Sequence, residues 1–385
     1  MSSLPSELID YILSSLRLPK DKDALCACSL VCAAWLPIVR EHLFETLRTK
    51  AGPAQITRSL SDFVRVSGNS SGVAHAVRTL VVDGFQGDSK LLFTDLVSLL
   101  QQLPRLQNLL LNNLRIPDTI DMVQCGYSPR TLRSLEMNNV GFYLDNPTNI
   151  FKLLHLFRNI GELQIERLWF RYAYGAPRNE IIPMLPIPTH LSITTLTLYC
   201  ADERTELMLD SLLHTCVPDT LRNLTISFYD FTPLVPSLSR FLADPRCHIH
   251  RLALDFCRGF PYEFWSDKRM LAEGRSTMEQ VLKPALQSLT LLRVFALYTG
   301  NIPEDVSAFW DMCLAVLDGL PEGVMEIHMH VVNNQFGFDL PLLVKRLQQY
   351  ERLVSVVVHG LCGGESLDKA KEELGRIGKG VQFVD

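Results

Sequence analysis

The sequence predicts an α/β solenoid, with parallel strands lining a concave face and helices outside, fronted by a short helical unit. Three observations predict it. The pattern apolar-x-x-apolar-x-apolar recurs ten times between Val77 and Val358, and its alternating residues mark short strands that face a core. Helical patterns fall between the copies, where a repeating strand–helix unit needs them. Ahead of the repeats, Ala24 to Val39 reads ALCACSLVCAAWLPIV, sixteen residues without a charge. A helix apolar on all sides must be covered on all sides, and a unit of roughly 45 residues rarely does that alone.

Composition sets the class. The chain has 385 residues, 47% hydrophobic and 21% charged, with a net charge of −5. That fits an ordinary soluble protein with a sizeable core. No basic excess points to nucleic acid, and no run of eighteen apolar residues points to a membrane span. The opening MSSLPSELID lacks a basic segment followed by an unbroken apolar one, so no secretory leader is expected and a cytoplasmic or nuclear location is. The ten cysteines are scattered, as buried thiols are in reducing compartments.

In the front unit, Pro5 suits a first helical turn and Glu7 places negative charge at its positive end. Leu8, Ile9, Ile12, Leu13 and Leu16 form one apolar stripe. Pro19 and the charged run Lys20 to Asp23 break it. An apolar helix from Ala24 to Trp35 follows, ended by Pro37, and then a segment around Glu41 to Leu47 with Leu43, Phe44 and Leu47 inward. Cys26, Cys28 and Cys32 lack the paired spacing of structural zinc clips and read as core cysteines.

The order Leu4-Pro5-x-Glu7-Leu8, Ile12-Leu13-x-x-Leu16, Leu25, Val31-Cys32-x-x-Trp35 resembles an F-box. The resemblance covers about the first 47 residues. It implies a three-helix unit that docks on the Skp-type adaptor of an SCF (Skp–cullin–F-box) ubiquitin ligase and, through it, on a cullin scaffold. Carried over by position, Leu4, Pro5, Leu8 and Ile12 match the first-helix contacts. Leu25, Val31 and Cys32 match the second set, and Trp35 matches the aromatic that closes the unit. Ala33-Ala34 departs from the charged or polar pair common there.

Pro53 to Val66 reads as a connecting helix, and Ser67 to Gly72 as a polar loop. The repeats then begin. Their middle anchors, Leu80, Leu109, Leu135, Leu163, Leu196, Leu224, Leu252, Phe295, Ile327 and Val356, step by 29, 26, 28, 33, 28, 28, 43, 32 and 29. The period favours repeats over βα units of an ordinary parallel sheet. It resembles leucine-rich repeats, which implies a horseshoe. The Asn or Cys usual after each strand is replaced by Leu114, Val140 and Leu168, with only Cys257 fitting, so the horseshoe is irregular. Helices are expected at Leu91–Leu103, Asn149–Phe157, Glu206–Cys216, Thr277–Leu289, Glu304–Leu320, Leu340–Tyr350 and Leu367–Ile377, with a capping strand at Val381-Gln382-Phe383. The domains are thus an F-box over 1–48, a linker helix and loop over 49–72, and a repeat region over 73–385.

Residues between the anchors point to the concave face. Asn112, Glu136, Glu166, Tyr199, Asp255, Tyr298 and His328 are the candidate protein-substrate contacts there. Aromatics gather past the strand ends, in Phe142-Tyr143, Trp169-Phe170-Arg171-Tyr172, Phe228-Tyr229-Asp230-Phe231, and Phe256, Phe260, Tyr262, Phe264 and Trp265. Trp169, Arg171, Tyr229, Tyr262 and Trp265 form a candidate rim, since Trp, Tyr and Arg dominate interface energetics. The alternative is a lid folded over the core. The pairs His248/His250 and His328/His330 each point to one side of a strand. With no third ligand assignable they read as exposed polar residues, and no metal or cofactor is expected. No G-x-S-x-G, H-E-x-x-H, Walker or G-x-G-x-x-G motif appears, so no intrinsic catalysis is expected.

Overall fold

The computed structural model describes residues 4–16, 20–50, 71–84, 89–116, 127–142, 148–170, 189–199, 205–228, 231–256, 268–299, 307–331, 339–360 and 365–384. The chain divides into two compact units, Met1–Ile160 with Leu168–Pro183, and Gly161–Arg167 with Met184–Asp385.

The first unit opens with helices α1 (Ser6–Ser14), α2 (Lys22–Cys28) and α3 (Trp35–Phe44). Pro5 precedes α1 and Glu7 lies in its first turn. The second helix is shorter than expected. It stops at Cys28, where the Ser29 hydroxyl donates to the Cys26 carbonyl at 2.6 Å, a local bond that competes with continued helix. Pro37, expected as a terminator, instead sits in the first turn of α3, where its missing N–H costs nothing. The three helices close over Ile9, Leu13, Leu25 and Val39, with Leu16, Cys28, Trp35, Ile38 and Leu43 partly buried around them. Cys26 and Cys32 are exposed, which corrects their reading as core thiols; the turn after Cys28 carries Cys32 away from the helix face.

Helix α3 leads through Glu45 into strand β1 (Thr46–Lys50), which pairs in parallel with β2 (Thr79–Asp83), Leu47 opposite Leu80. The Glu45 carbonyl accepts from the amides of Arg78 and Thr79, both at 2.9 Å. The sheet therefore starts inside the stretch that the sequence assigned to the helical unit and linker. The connecting helix expected at Pro53–Val66 lies outside the described residues.

Further strands follow in chain order: β3 (Ser89–Lys90), β4 (Asn108–Asn112), β5 (Leu114–Ile116), β6 (Arg130–Asn138), β7 (Gly141–Phe142), β8 (Phe157–Glu166) and β9 (Trp169–Phe170). After them come β10 (Ser192–Tyr199), β11 (Asn223–Ser227), β12 (Arg251–Asp255), β13 (Val294–Thr299), β14 (Glu326–Val331), β15 (Ser355–His359) and β16 (Gly380–Val384). Twelve of them form one sheet in the order β1-β2-β4-β6-β8-β10-β11-β12-β13-β14-β15-β16, with β16 the expected capping strand. The fold is α/β with a long parallel sheet.

Register explains why the anchors recur. Leu80, Leu109 and Leu135 stand opposite one another on β2, β4 and β6. Leu196, Leu224, Leu252, Phe295, Ile327 and Val356 do the same from β10 to β15. All ten anchors are at most 1% exposed, so each buries about a full side chain's worth of apolar area.

Helices fall where the periodicity places them, including Phe93–Gln102, Thr148–Leu154, Thr205–Leu212, Ser307–Leu317, Leu340–Gln348 and Glu365–Gly375. The helix Phe231–Leu242 was not anticipated, because Pro236 lies inside it and Pro argues against helix interior. No described helix is long and apolar enough to cross a membrane.

A second, four-stranded sheet runs β3-β5-β7-β9 in the first unit. Asn113, Asn139 and Arg167 follow β4, β6 and β8 with φ of 53°, 55° and 55°. Each turns the chain toward the next short strand through the left-handed region, which Asn tolerates better than most residues. At the equivalent place after β2 stands Gly84, where a Cβ would lie 2.1 Å from the Asn113 carbonyl oxygen.

Candidate functional site

The front unit exposes what the sequence singled out. On α1, Leu8 and Ile12 are four residues apart on one face, and both are about half exposed, as is Leu4 ahead of the helix. Pro5 and Cys32 are exposed as well. Val31 is exposed, and Leu30 beside it is 85% exposed. Tyr11 extends the α1 face. Leu30 and Tyr11 were missed, Leu30 because a helix over Ala24–Trp35 hid it among other apolar residues. Leu25 is fully buried and Trp35 half-buried in the unit's own core. Leu25 therefore holds the unit together rather than lying on a contact surface, because α2 turns that side chain between α1 and α3.

The strand face carrying the residues between anchors is knitted together from strand to strand. Asn112 Nδ2 donates to Asp83 Oδ1 at 2.6 Å, and Asn138 Nδ2 donates to Asn112 Oδ1 at 3.0 Å. One row away, Asn108 Nδ2 donates to Thr79 Oγ1 and the Ser134 hydroxyl donates to Asn108 Oδ1, both at 3.0 Å. Glu136, Glu166 and Tyr199 are half-buried with interactions of their own. Asp255 is only 3% exposed, which corrects its place among surface contacts. It stands in register between Ser227, also buried, and Tyr298.

The aromatic rim divides. Phe142, Phe228 and Phe256 are buried, and Phe228 stacks on Phe256 with ring centroids 4.9 Å apart, so these serve the core. Trp169 lies in β9. Arg171, Tyr229, Tyr262 and Trp265 lie outside the described residues.

The histidines give the second unit a constellation that sequence spacing did not. His248 and His250 precede β12 rather than alternating along it. On β14 and β15, by contrast, three imidazoles meet. His330 pairs in register with Tyr298 on one side and His359 on the other. The three rings stack at 4.0 Å centroid spacing on each side. His328 stands opposite Ala296 and Val357, small neighbours past which its Nδ1 reaches to 3.3 Å from His359 Nε2. Its Nε2 lies 3.4 Å from Glu326 Oε2. Burial, then His359, His328 and Arg251, push the His330 imidazole down to about 4. Burial and His328 lower His359 as well. Both rings are neutral at pH 7. The third histidine was invisible in the sequence because 31 residues separate it from His328, and only the strand register joins them.

A scan against protein-family models finds no match to this chain, and a search of curated proteins finds none.

Proposed function

We propose that this chain is the substrate-recognition subunit of an SCF-type ubiquitin ligase. In this reading α1 to α3 are an F-box that docks on a Skp-type adaptor, and the stranded region is a degenerate leucine-rich-repeat horseshoe that binds a protein substrate. The chain does no chemistry itself. It contributes effective concentration, holding the substrate near the ubiquitin-loaded partner of the complex.

One observation carries the reading. A helical unit whose own core is four fully enclosed side chains leaves Leu4, Leu8, Ile12, Leu30 and Val31 in water. Fully burying an aliphatic side chain contributes about 1.5–3 kcal/mol, so a complementary groove would gain substantially from covering this set. Co-expression with a Skp-type adaptor tests it. The intact chain should co-purify with the adaptor, and a Leu4→Ala/Pro5→Ala variant should not; an intact chain that leaves the adaptor behind removes the proposal.

A second reading, a non-degradative scaffold whose helical unit caps the strands, is favoured by the continuity of α3 with β1 through Glu45. Reconstituted ubiquitin transfer separates the two. Transfer to a bound protein supports the ligase receptor, and adaptor binding without transfer supports the scaffold.

A further inference from the structure

We propose that His328, His330 and His359 form a binding site for a transition-metal dication of the zinc class, built on adjacent strands with a fourth coordination position open. The site is independent of the ligase reading.

Geometry carries it. One ring nitrogen from each histidine can be chosen so that all three lie within 4.8 Å of one another. The separation of His328 Nδ1 from His359 Nε2, 3.3 Å, matches the edge of about 3.3 Å that a tetrahedral ion with zinc–nitrogen bonds of 2.0–2.1 Å requires. Two β14 imidazoles on alternate residues share a face, and β15 supplies the third by register. A divalent ion would add a metal bridge between two strands that backbone bonds and ring contacts now join at this row.

Two further observations point to a ligand. Nε2 of His330 is buried without a hydrogen-bond partner among the described residues, and an orphaned buried nitrogen is costly unless something claims it. Glu326 stands at Nε2 of His328, the carboxylate–histidine arrangement that fixes the tautomer of a metal ligand. With that proton directed at Glu326, the lone pair of Nδ1 faces His359. Imidazole-rich sites take zinc, copper or nickel in preference to magnesium or calcium.

The rings must adjust to bind. His330 and His359 are parallel to within 1°, whereas an ion lies in the plane of each imidazole it binds. Capture therefore turns His330 out of its stack with Tyr298. The neutral His359 ring moves its single proton from Nε2 to Nδ1, which frees the Nε2 lone pair for the ion. Three protein nitrogens leave the fourth position for water or an incoming side chain.

The test is equilibrium dialysis of the full chain against zinc, with bound metal counted per chain, and a cobalt titration as the spectroscopic stand-in. One ion per chain is expected, held by nitrogen ligands. His248→Ala/His250→Ala should retain it, and His328→Gln or His359→Gln should weaken it at least about a hundredfold. The cobalt spectrum of the unaltered chain decides the matter even if a variant fails to fold. Absence of stoichiometric metal, or a thiolate charge-transfer band placing it on the cysteines, overturns the site. So does unchanged affinity in folded His359→Gln.

Discussion

Leu8 and Ile9 are consecutive in α1, yet Leu8 is 49% exposed and Ile9 only 3%. The helix turns one into the unit's core and the other into water, so the two report on different properties. Ile9→Ala should destabilise the front unit by about 2–5 kcal/mol, as a buried aliphatic truncation does. Leu8→Ala should change stability by less than about 0.5 kcal/mol. Urea unfolding followed by hydrogen exchange of α1 to α3 amides measures both. A large loss from Leu8→Ala would mean that this face is already covered.

The three left-handed residues after β4, β6 and β8 predict a graded response. Asn139→Ala should cost about 1 kcal/mol, because Ala is strained at positive φ and loses the bond that Asn139 Nδ2 donates to Asn113 Oδ1 at 2.8 Å. Arg167→Gly should stabilise by about 0.5–1 kcal/mol, since relief of backbone strain exceeds the entropy Gly adds to the unfolded chain. Chemical denaturation midpoints check the opposite signs.

An acid-sensitive contact ties the second unit's helices together. Arg246 donates to Asp244 Oδ1 at 3.0 Å and Oδ2 at 2.8 Å, and its Nη2 donates to the Leu213 carbonyl at 2.6 Å. The hydrogen bond from Arg246 holds the Asp244 carboxyl below its ordinary 3.8, against the upward push of burial. A carboxylate held low in the folded state stabilises fully above its unfolded pKa, and that stabilisation is lost as pH falls below 3.8 through the folded value. Asp244→Asn should therefore lower the melting temperature at pH 6 and narrow its gap to the parent chain as pH falls below 3.8. A constant gap across that range contradicts the assignment.

Legibility in the sequence followed the range of the forces involved. The ten anchors were readable because strand periodicity and burial are local, and every one of them is enclosed. The first strand was missed because Thr46–Lys50 has no anchor pattern of its own; its pairing with β2 supplies the order. The second sheet was equally hidden, being set by single backbone dihedrals at Asn113, Asn139 and Arg167. Leu8 and Ile12 were legible on an apolar stripe and Leu4 through the family resemblance, whereas Leu25, in the separate uncharged stretch from Ala24 to Val39, folds inward. The histidine cluster joins three residues from two strands, a relationship that depends on register alone.

The proposed function rests on the exposed face of α1, with Leu30 and Val31, as a docking surface. The most direct measurement is the affinity of the purified full chain for a purified Skp-type adaptor, by calorimetry, alongside Leu8→Ala/Ile12→Ala. The intact chain should form a one-to-one complex. The double variant should lose at least about tenfold in affinity, with α1 to α3 still folded, since each lost buried aliphatic contact removes more than the 1.4 kcal/mol that a factor of ten requires. An intact, folded chain that shows no heat of binding to an adaptor active toward an F-box of known function would rule the docking surface out.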